Sequence, residues 1–352
     1  MVFIWSKKLS DARLPNEYTG GIVTIFITGI AGYIGSHIAL AFLDAGMDVV
    51  GIDNLVSGHD DIVPAGATFY KGDVGDTQLL HQIFGAHRID TVIHCAAHTV
   101  VPESVRNPAR FYENNTLNSC RLIMAAQDAG IENFIFSSTA AVYGIPDKRE
   151  VHENDICQPI NPYGWSKLMT ERMLMDIYPA QNMTYAILRY FNVAGADPQM
   201  RSGQISDNAT HLVKIAGEVA TGKRDSMAIY GTDYDTPDGT CIRDYVHVSD
   251  LAEAHRQVYV ELMNESCANI VLNCGYGRGV SVREVIETTQ KLAGNRFDVL
   301  QGDRRAGDPP SLIANANHIR NVIDWRPQYN RLETIIYHAL EWEKQLSQLP
   351  AP

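Results

Sequence analysis

Tyr163 and Lys167 stand four residues apart directly behind Pro162, in the segment Pro-Tyr-Gly-Trp-Ser-Lys. Proline suits the first position of a helix, so Tyr163 opens that helix and Lys167 follows one turn later on the same face. A phenol ordinarily loses its proton near pH ~10. A neighbouring ammonium favours the phenolate by Coulomb attraction, so this spacing predicts a Tyr163 pKa drawn towards neutrality. Upstream, Asn133-Phe-Ile-Phe-Ser-Ser-Thr139 reads as a strand that ends on a hydroxyl. Thr139 can pass a substrate proton to such a phenolate, and the trio removes a proton from a carbinol while hydride leaves its carbon. Taken alone, Tyr-x-x-x-Lys equally describes a surface pair, and a second signal has to decide.

That signal lies near the start of the chain. Ile22-Val-Thr-Ile-Phe-Ile-Thr28 is a β-branched apolar run of the kind buried on both faces of a parallel sheet. It leads into Gly29-Ile-Ala-Gly32-Tyr33-Ile34-Gly35, a helical pattern to Gly46, and a second strand, Val49 to Ile52, that stops at Asp53. Strand, glycine turn, helix, strand and acid together make a dinucleotide-binding unit. The glycines let backbone approach a pyrophosphate, which then lies on the helix N-terminus. The Asp53 carboxylate accepts from ribose hydroxyls and repels a 2′-phosphate, which favours NAD over NADP.

Further β-α units follow. Asp73 and Val74 fall at a strand end suited to reading an adenine edge, with a simple turn as the other reading of Asp73. Small residues Ala96 and Ala97 end the run from Asp90, where a cofactor can pass closely. Candidate cofactor contacts on this reading are Gly29, Gly32, Gly35, Asp53, Asp73, Val74, Ala96 and Ala97. A helix bearing Asn114 and Asn115, the Tyr163 helix and the strand Tyr185–Asn192 continue the alternation. It predicts an α/β fold, a Rossmann-type doubly wound parallel sheet with right-handed crossovers. The first twenty residues read as a flexible extension, and past Asn192 the chain turns polar and loop-rich, with a turn-rich loop at 230–240 of the kind that carries binding function. Ser249 or Asp250 is the expected cap of the helix that follows His247.

The 352 residues suffice for a sizeable core, and 45% hydrophobic with 20% charged residues is ordinary for a soluble enzyme. A net charge of −12 disfavours nucleic acid. Six scattered cysteines form no metal-binding spacing and read as reduced thiols. No apolar run approaches the ~18 residues of a membrane span, and the reading is a cytoplasmic protein with no metal.

Several stretches taken together identify a family. They are Thr-Gly-x-x-Gly-x-x-Gly at 28–35, Ser-Ser-Thr-Ala-Ala-Val-Tyr-Gly at 137–144, Pro-Tyr-Gly-x-Ser-Lys at 162–167, Arg-Tyr-Phe-Asn at 189–192, and Tyr-Gly-Thr-Asp-Tyr-x-Thr-x-Asp-Gly-Thr-Cys-Ile-Arg-Asp-Tyr-x-His at 230–247. This pattern resembles the UDP-glucose 4-epimerases of the extended short-chain dehydrogenase/reductase superfamily, from Ile22 to about Gln345. The resemblance implies reversible C4 epimerisation of a UDP-hexose through a 4-keto intermediate, with tightly held NAD, and a homodimer formed through the Asn115 and Tyr163 helices. It implies Tyr163 as base, Lys167 as its electrostatic partner and nicotinamide-ribose ligand, and Thr139 as a sugar-hydroxyl contact, with Tyr33, Ile34, Asn54, Cys95, Asn114, Ser137, Tyr163 and Tyr190 as further cofactor contacts. It also implies an NAD-binding domain at 21–192 with 240–272 packing back onto it, and a smaller C-terminal α/β substrate domain at 193–239 and 273–352. Asn192, His211, Leu212, Ala228, Tyr230, Arg243, Arg305, Asp308 and Leu312 take the UDP-sugar positions. Four positions depart from many members: Thr139 for Ser, Thr99 for a Lys near the cofactor phosphates, His211 for Asn, and Leu312 for a bulky Tyr. The last admits UDP-GlcNAc and UDP-GalNAc as further substrates. A nucleotide-sugar dehydratase or decarboxylase is the nearest alternative, although Ala140-Ala141 stand where dehydratases place acids. A non-catalytic NAD-sensing module is the other.

Overall fold

The computed structural model describes residues 24–181, 183–206, 209–264, 268–305 and 307–348. The expected extension at 1–20 lies outside them. The strands are β1 (Thr24–Thr28), β2 (Asp48–Asp53), β3 (Thr68–Lys71), β4 (Ile89–His94), β5 (Asn133–Thr139), β6 (Glu150–Val151) and β7 (Thr184–Tyr190). They continue with β8 (Asn192–Ala194), β9 (Ser226–Tyr230), β10 (Ile242–His247), β11 (Ile270–Cys274), β12 (Gly279–Ser281), β13 (Asp298–Gly302) and β14 (Ser311–Ala314). The helices are α1 (Tyr33–Asp44), α2 (Thr77–Ala86), α3 (Val101–Arg106), α4 (Pro108–Phe111), α5 (Asn118–Asp128) and α6 (Pro162–Gln181). After them come α7 (Leu212–Ala220), α8 (Val248–Met263), α9 (Val282–Ala293), α10 (Asn317–Val322) and α11 (Leu332–Gln348).

Seven strands form the main sheet in the order β11-β7-β5-β4-β1-β2-β3, every pair parallel. Chain order reverses between β1 and β4, the crevice where doubly wound sheets hold ligands. Alternation along each strand feeds two cores. Ile25, Ile27, Ile93, Ile135 and Leu188 meet Ile38 and Phe42 of α1 and Leu251 and Val258 of α8. Phe26, Val92, Phe134, Phe136 and Ile187 meet Leu80 and Ile83 of α2, Leu122 of α5 and Leu174 of α6. Each of these fully buried side chains contributes about 1.5–3 kcal/mol, which makes this layer the rigid part of the molecule.

The second sheet runs β12-β10-β14-β6, with β8 joined to β10, and β13 pairs with β9. β6 comes from the segment between β5 and α6, so the first half of the chain supplies an edge of the second sheet. α8 and β11 return to the main sheet. The helix after His247 is capped by His247 itself, whose Nδ1 accepts from Ser249 N at 3.1 Å, and not by Ser249 or Asp250. Asp250 instead accepts from Tyr276 Oη, Gln328 N and Tyr329 N and ties the C-terminal loops down. No helix among the described residues is long and apolar enough to cross a membrane.

Burial dictates an acid response. It lowers the pKa of His37 to about 4, of His94 to about 3 and of His255 to about 4. The unfolded chain takes up these protons near pH ~6.5, so between the two values the unfolded state binds more protons and stability is lost as the pH is lowered. Urea midpoints measured from pH 7.5 to 4 should therefore fall steeply below pH ~6.5, with each histidine contributing on the order of 3 kcal/mol.

Candidate active site

At the crossover, Gly29 adopts φ +71°, and a Cβ there would lie 2.8 Å from Ala96 N. A Cβ on Gly35 would lie 2.1 Å from the Gly29 carbonyl oxygen. The turn is closed by Gly32 N donating to Gly29 O at 3.0 Å, and α1 begins at Tyr33 with no side-chain cap. Its leading N–H groups are left for an anion. Tyr33 Oη donates to Gly195 O at 2.7 Å and ties this helix to the chain after β8, with Ile34 partly buried beside it. At the end of β2 the Asp53 carboxylate accepts from Ala31 N at 3.1 Å and Leu55 N at 2.8 Å. Burial pushes its pKa up against those two bonds. Asn54 donates to Asp73 at 2.8 Å, and Asp73 also accepts from Gly75 N at 2.7 Å, next to buried Val74. Cys95, Ala96 and Ala97 pass the end of β4, where Thr28 Oγ1 accepts from Cys95 N and Ala96 N, both at 3.2 Å. A cradle with no room for Cβ atoms, an uncapped helix and an acid on the next strand fit a dinucleotide.

β5 and α6 carry the reacting side chains. Thr139 ends β5 and hydrogen-bonds the half-buried Tyr163 phenol, while its Oγ1 accepts from Ala141 N at 3.1 Å. Lys167 is 3% exposed; its ammonium donates to Ser137 O at 2.8 Å and lies 4.9 Å from the Phe136 ring centroid. The expected drop in the Tyr163 pKa does not occur in the protein alone. Burial raises it, the Thr139 hydrogen bond opposes that rise, and the ammonium is directed at the Ser137 carbonyl. Burial also lowers Lys167 to about 8, with Cys95 and Glu171 opposing. Tyr190 is buried beneath this pair, its hydroxyl bonded to His255 and Ser137. Asn114 lies in a π-helical turn, Tyr112–Leu117, and donates to Asn115 at 2.9 Å. Asn115 in turn holds the His98 backbone and donates to Ser166 at 3.1 Å.

The second group of predicted residues gathers on β8, β9, β10 and β14. Arg243 pairs with Asp308, and Leu312 is its register partner on β14. The Arg305 guanidinium lies 4.0 Å from the ring centroid of Tyr230, two residues beyond Ala228 on β9. Asn192, His211 and Leu212 line a narrow cleft with Gln204, Tyr245 and Trp342. Gln204 Nε2 contacts His211 Nδ1 at 2.7 Å. Guanidinium forks and an aromatic face suit a diphosphate joined to a base.

Sequence reasoning passed over a buried polar group behind the site. Glu171 bonds Ser138 Oγ and takes a two-pronged ion pair from Arg189, at 3.0 and 2.7 Å. Arg189 also donates to Tyr143 Oη, which donates to Asn273 at 2.7 Å. The available signal was a carboxylate one turn past Lys167 on the helix face turned to the core. The glycine geometry yields a test: Gly35→Ala, whose methyl meets the Gly29 carbonyl, should purify without dinucleotide. The 260/280 nm absorbance ratio of the purified protein reads this directly.

With this geometry established, the comparisons are consistent with one another. The profile of the NAD dependent epimerase/dehydratase family matches residues 25–275. The UDP-glucose 4-epimerase of Azospirillum brasilense is 49% identical over 332 residues, covering 94% of this chain and 95% of that protein. The NAD complex of the Brucella ovis UDP-glucose 4-epimerase superposes with a TM-score of 0.87 at 40% identity, covering 90% of this chain and 97% of that one. The UDP-Glc/GlcNAc 4-epimerase of Campylobacter jejuni gives a TM-score of 0.80 at 44% identity, covering 92% and 99%. A glycine cradle over a parallel crossover, a Thr-Tyr-Lys trio at the sheet edge and near-full-length similarity have one reading: this chain belongs to the NAD dependent epimerase/dehydratase family and, within it, to the UDP-glucose 4-epimerases.

Proposed function

We propose that the chain inverts C4 of a UDP-hexose, interconverting UDP-glucose and UDP-galactose through a 4-keto sugar, with Tyr163 as the base. The observation that carries this reading is the meeting of Thr139, Tyr163 and Lys167 beside a glycine cradle built for a dinucleotide. NAD, when bound, would supply a hydride acceptor that is regenerated in each cycle and a positive charge that favours the phenolate. The Tyr163 phenolate takes the 4-hydroxyl proton directly or through Thr139, and returns it after the keto sugar has turned over. Lys167, largely protonated at neutral pH, holds the ribose end of the cofactor and favours the phenolate. Arg243, Arg305, Asp308, Tyr230, Ala228, Asn192, His211 and Leu212 grip UDP. The sugar itself is held loosely enough to rotate and present either face.

Leu312 supports a second substrate class. A leucine on β14 leaves space that a tyrosine would fill, so N-acetylhexosamines enter as well. Copies of the chain pair through α5, with the π-helical turn that leads into it, and α6; these expose Leu117 (46%), Met124 (57%), Trp165 (40%) and Met169 (42%). Apolar side chains this open on neighbouring helices need a cover.

Purified protein given UDP-galactose without added NAD should form UDP-glucose, and UDP-GalNAc should form UDP-GlcNAc, as read by chromatography of the sugar nucleotides. Tyr163→Phe should lower kcat by about 10²–10⁴-fold, and Leu312→Tyr should abolish only the N-acetyl reaction. Full activity in Tyr163→Phe would overturn the assignment. Sedimentation velocity tests the pairing: Met124→Glu/Met169→Glu should shift the wild-type dimer to monomer.

A further inference from the structure

Tyr163, Lys167 and Glu171 occupy i, i+4 and i+8 of α6 and so form one stripe along the helix. Facing them are three consecutive residues of β5. Thr139 bonds Tyr163, Ser138 Oγ donates to Glu171, and Ser137 O accepts from Lys167 at 2.8 Å. Glu171 and Arg189 are 0% and 3% exposed, and their pair joins α6 to β7. Burial works against the Arg189 charge, but its bonds to Glu171 more than offset this and keep the guanidinium protonated.

We infer that Glu171 is a positioning residue for the Tyr163–Lys167 pair: it pins the axial register of α6 on β5 through Ser138 and places a negative charge one turn behind the Lys167 ammonium. The inference rests on the roles proposed above for Tyr163 and Lys167. Lys167 lies between an aromatic ring and a carbonyl in a water-poor place, where the ammonium form needs a counter-charge. Cys95, after β4, and Glu171 both favour the ammonium, buried His94 of β4 is the other titratable group close to it, and Arg189 and Ser138 hold the Glu171 carboxylate still. A leucine at this position would leave the Arg189 guanidinium buried without its partner and take the carboxylate away from the Lys167 ammonium. A purely structural ion pair predicts lost stability with no change in how Lys167 titrates.

The test uses the full chain with NAD bound and lysine labelled with ¹³C at Cε, with the Lys167 resonance assigned by its loss in Lys167→Met. In Glu171→Gln the Lys167 midpoint should fall by about one pH unit. The alkaline limb of the kcat profile for UDP-galactose should fall with it, kcat should drop about tenfold or more, and KM should stay within about threefold. Ser138→Ala keeps the charge and should lower kcat while leaving the midpoint in place. A folded Glu171→Gln with the wild-type midpoint overturns the inference. Where that variant does not fold, Glu171→Asp decides: an unchanged alkaline limb with reduced kcat supports the inference, and full kcat or a displaced limb overturns it. A wild-type chain inert towards UDP-galactose sinks the proposed reaction, whereas the Lys167 midpoint still reports the coupling to Glu171 by itself.

Discussion

The fit of helix α6 on the end of strand β5 is the constraint on which the rest of this molecule turns. A helix advances 1.5 Å and rotates 100° per residue, so a slip of one residue would swing Tyr163 and Lys167 off the sheet edge. Apolar packing alone fixes such a register weakly, because leucines and isoleucines tolerate small shifts. Buried polar contacts do not. Ser138, Glu171 and Arg189 are satisfied in one alignment, and breaking such a buried pair costs about 3–5 kcal/mol. Placement of the chemistry and placement of the helix are therefore one problem, solved by residues that never reach the sugar.

The two halves of the cleft are built with different stiffness. The dinucleotide side is made of backbone pressed on backbone: Gly29 against Ala96, Gly35 against the Gly29 carbonyl. Nothing in it needs to move. Opposite, Arg243 is paired with Asp308 and Arg305 lies on Tyr230, so charges and an aromatic face that suit UDP are engaged with each other. Arg305 on Tyr230 is an exposed contact that costs little to exchange for a diphosphate, whereas the part-buried Arg243–Asp308 pair would have to be replaced by an anion of equal charge. Firm anchoring of UDP with few demands on the hexose is also what inversion requires, because the keto sugar must present both faces to one nicotinamide.

Electrostatics separates what each residue type promises from what its surroundings permit. A lysine one turn from a tyrosine suggests an acidic phenol. In the folded protein burial raises Tyr163, and the ammonium is directed at a carbonyl. A phenolate there would need further positive charge, which a bound cofactor and not the chain would supply. Similarly, Ser249 and Asp250 are better capping residues by type than His247. Asp250 is drawn instead to the amides of Gln328 and Tyr329, and the imidazole takes the cap.

Much of the architecture was legible from order and period alone. An apolar β-branched run, a glycine turn, an amphipathic helix and an acid follow one another within thirty-odd residues, and local sterics leave that string few other folds. The same holds for Pro162 opening a helix and for Tyr163 and Lys167 sharing its face, since helical spacing is a property of consecutive residues. Strand β6, the π turn at Asn114 and the Ser138–Glu171–Arg189 group were decided by the tertiary structure. Each depends on partners brought together from distant parts of the chain: β6 needs β14, 160 residues away, and Glu171 needs a strand on each side. Sequence determines which chemistry is available within a turn or a strand. Folding decides which charges lose their water and which neighbour compensates them, because desolvation belongs to the assembled interior and to no single segment.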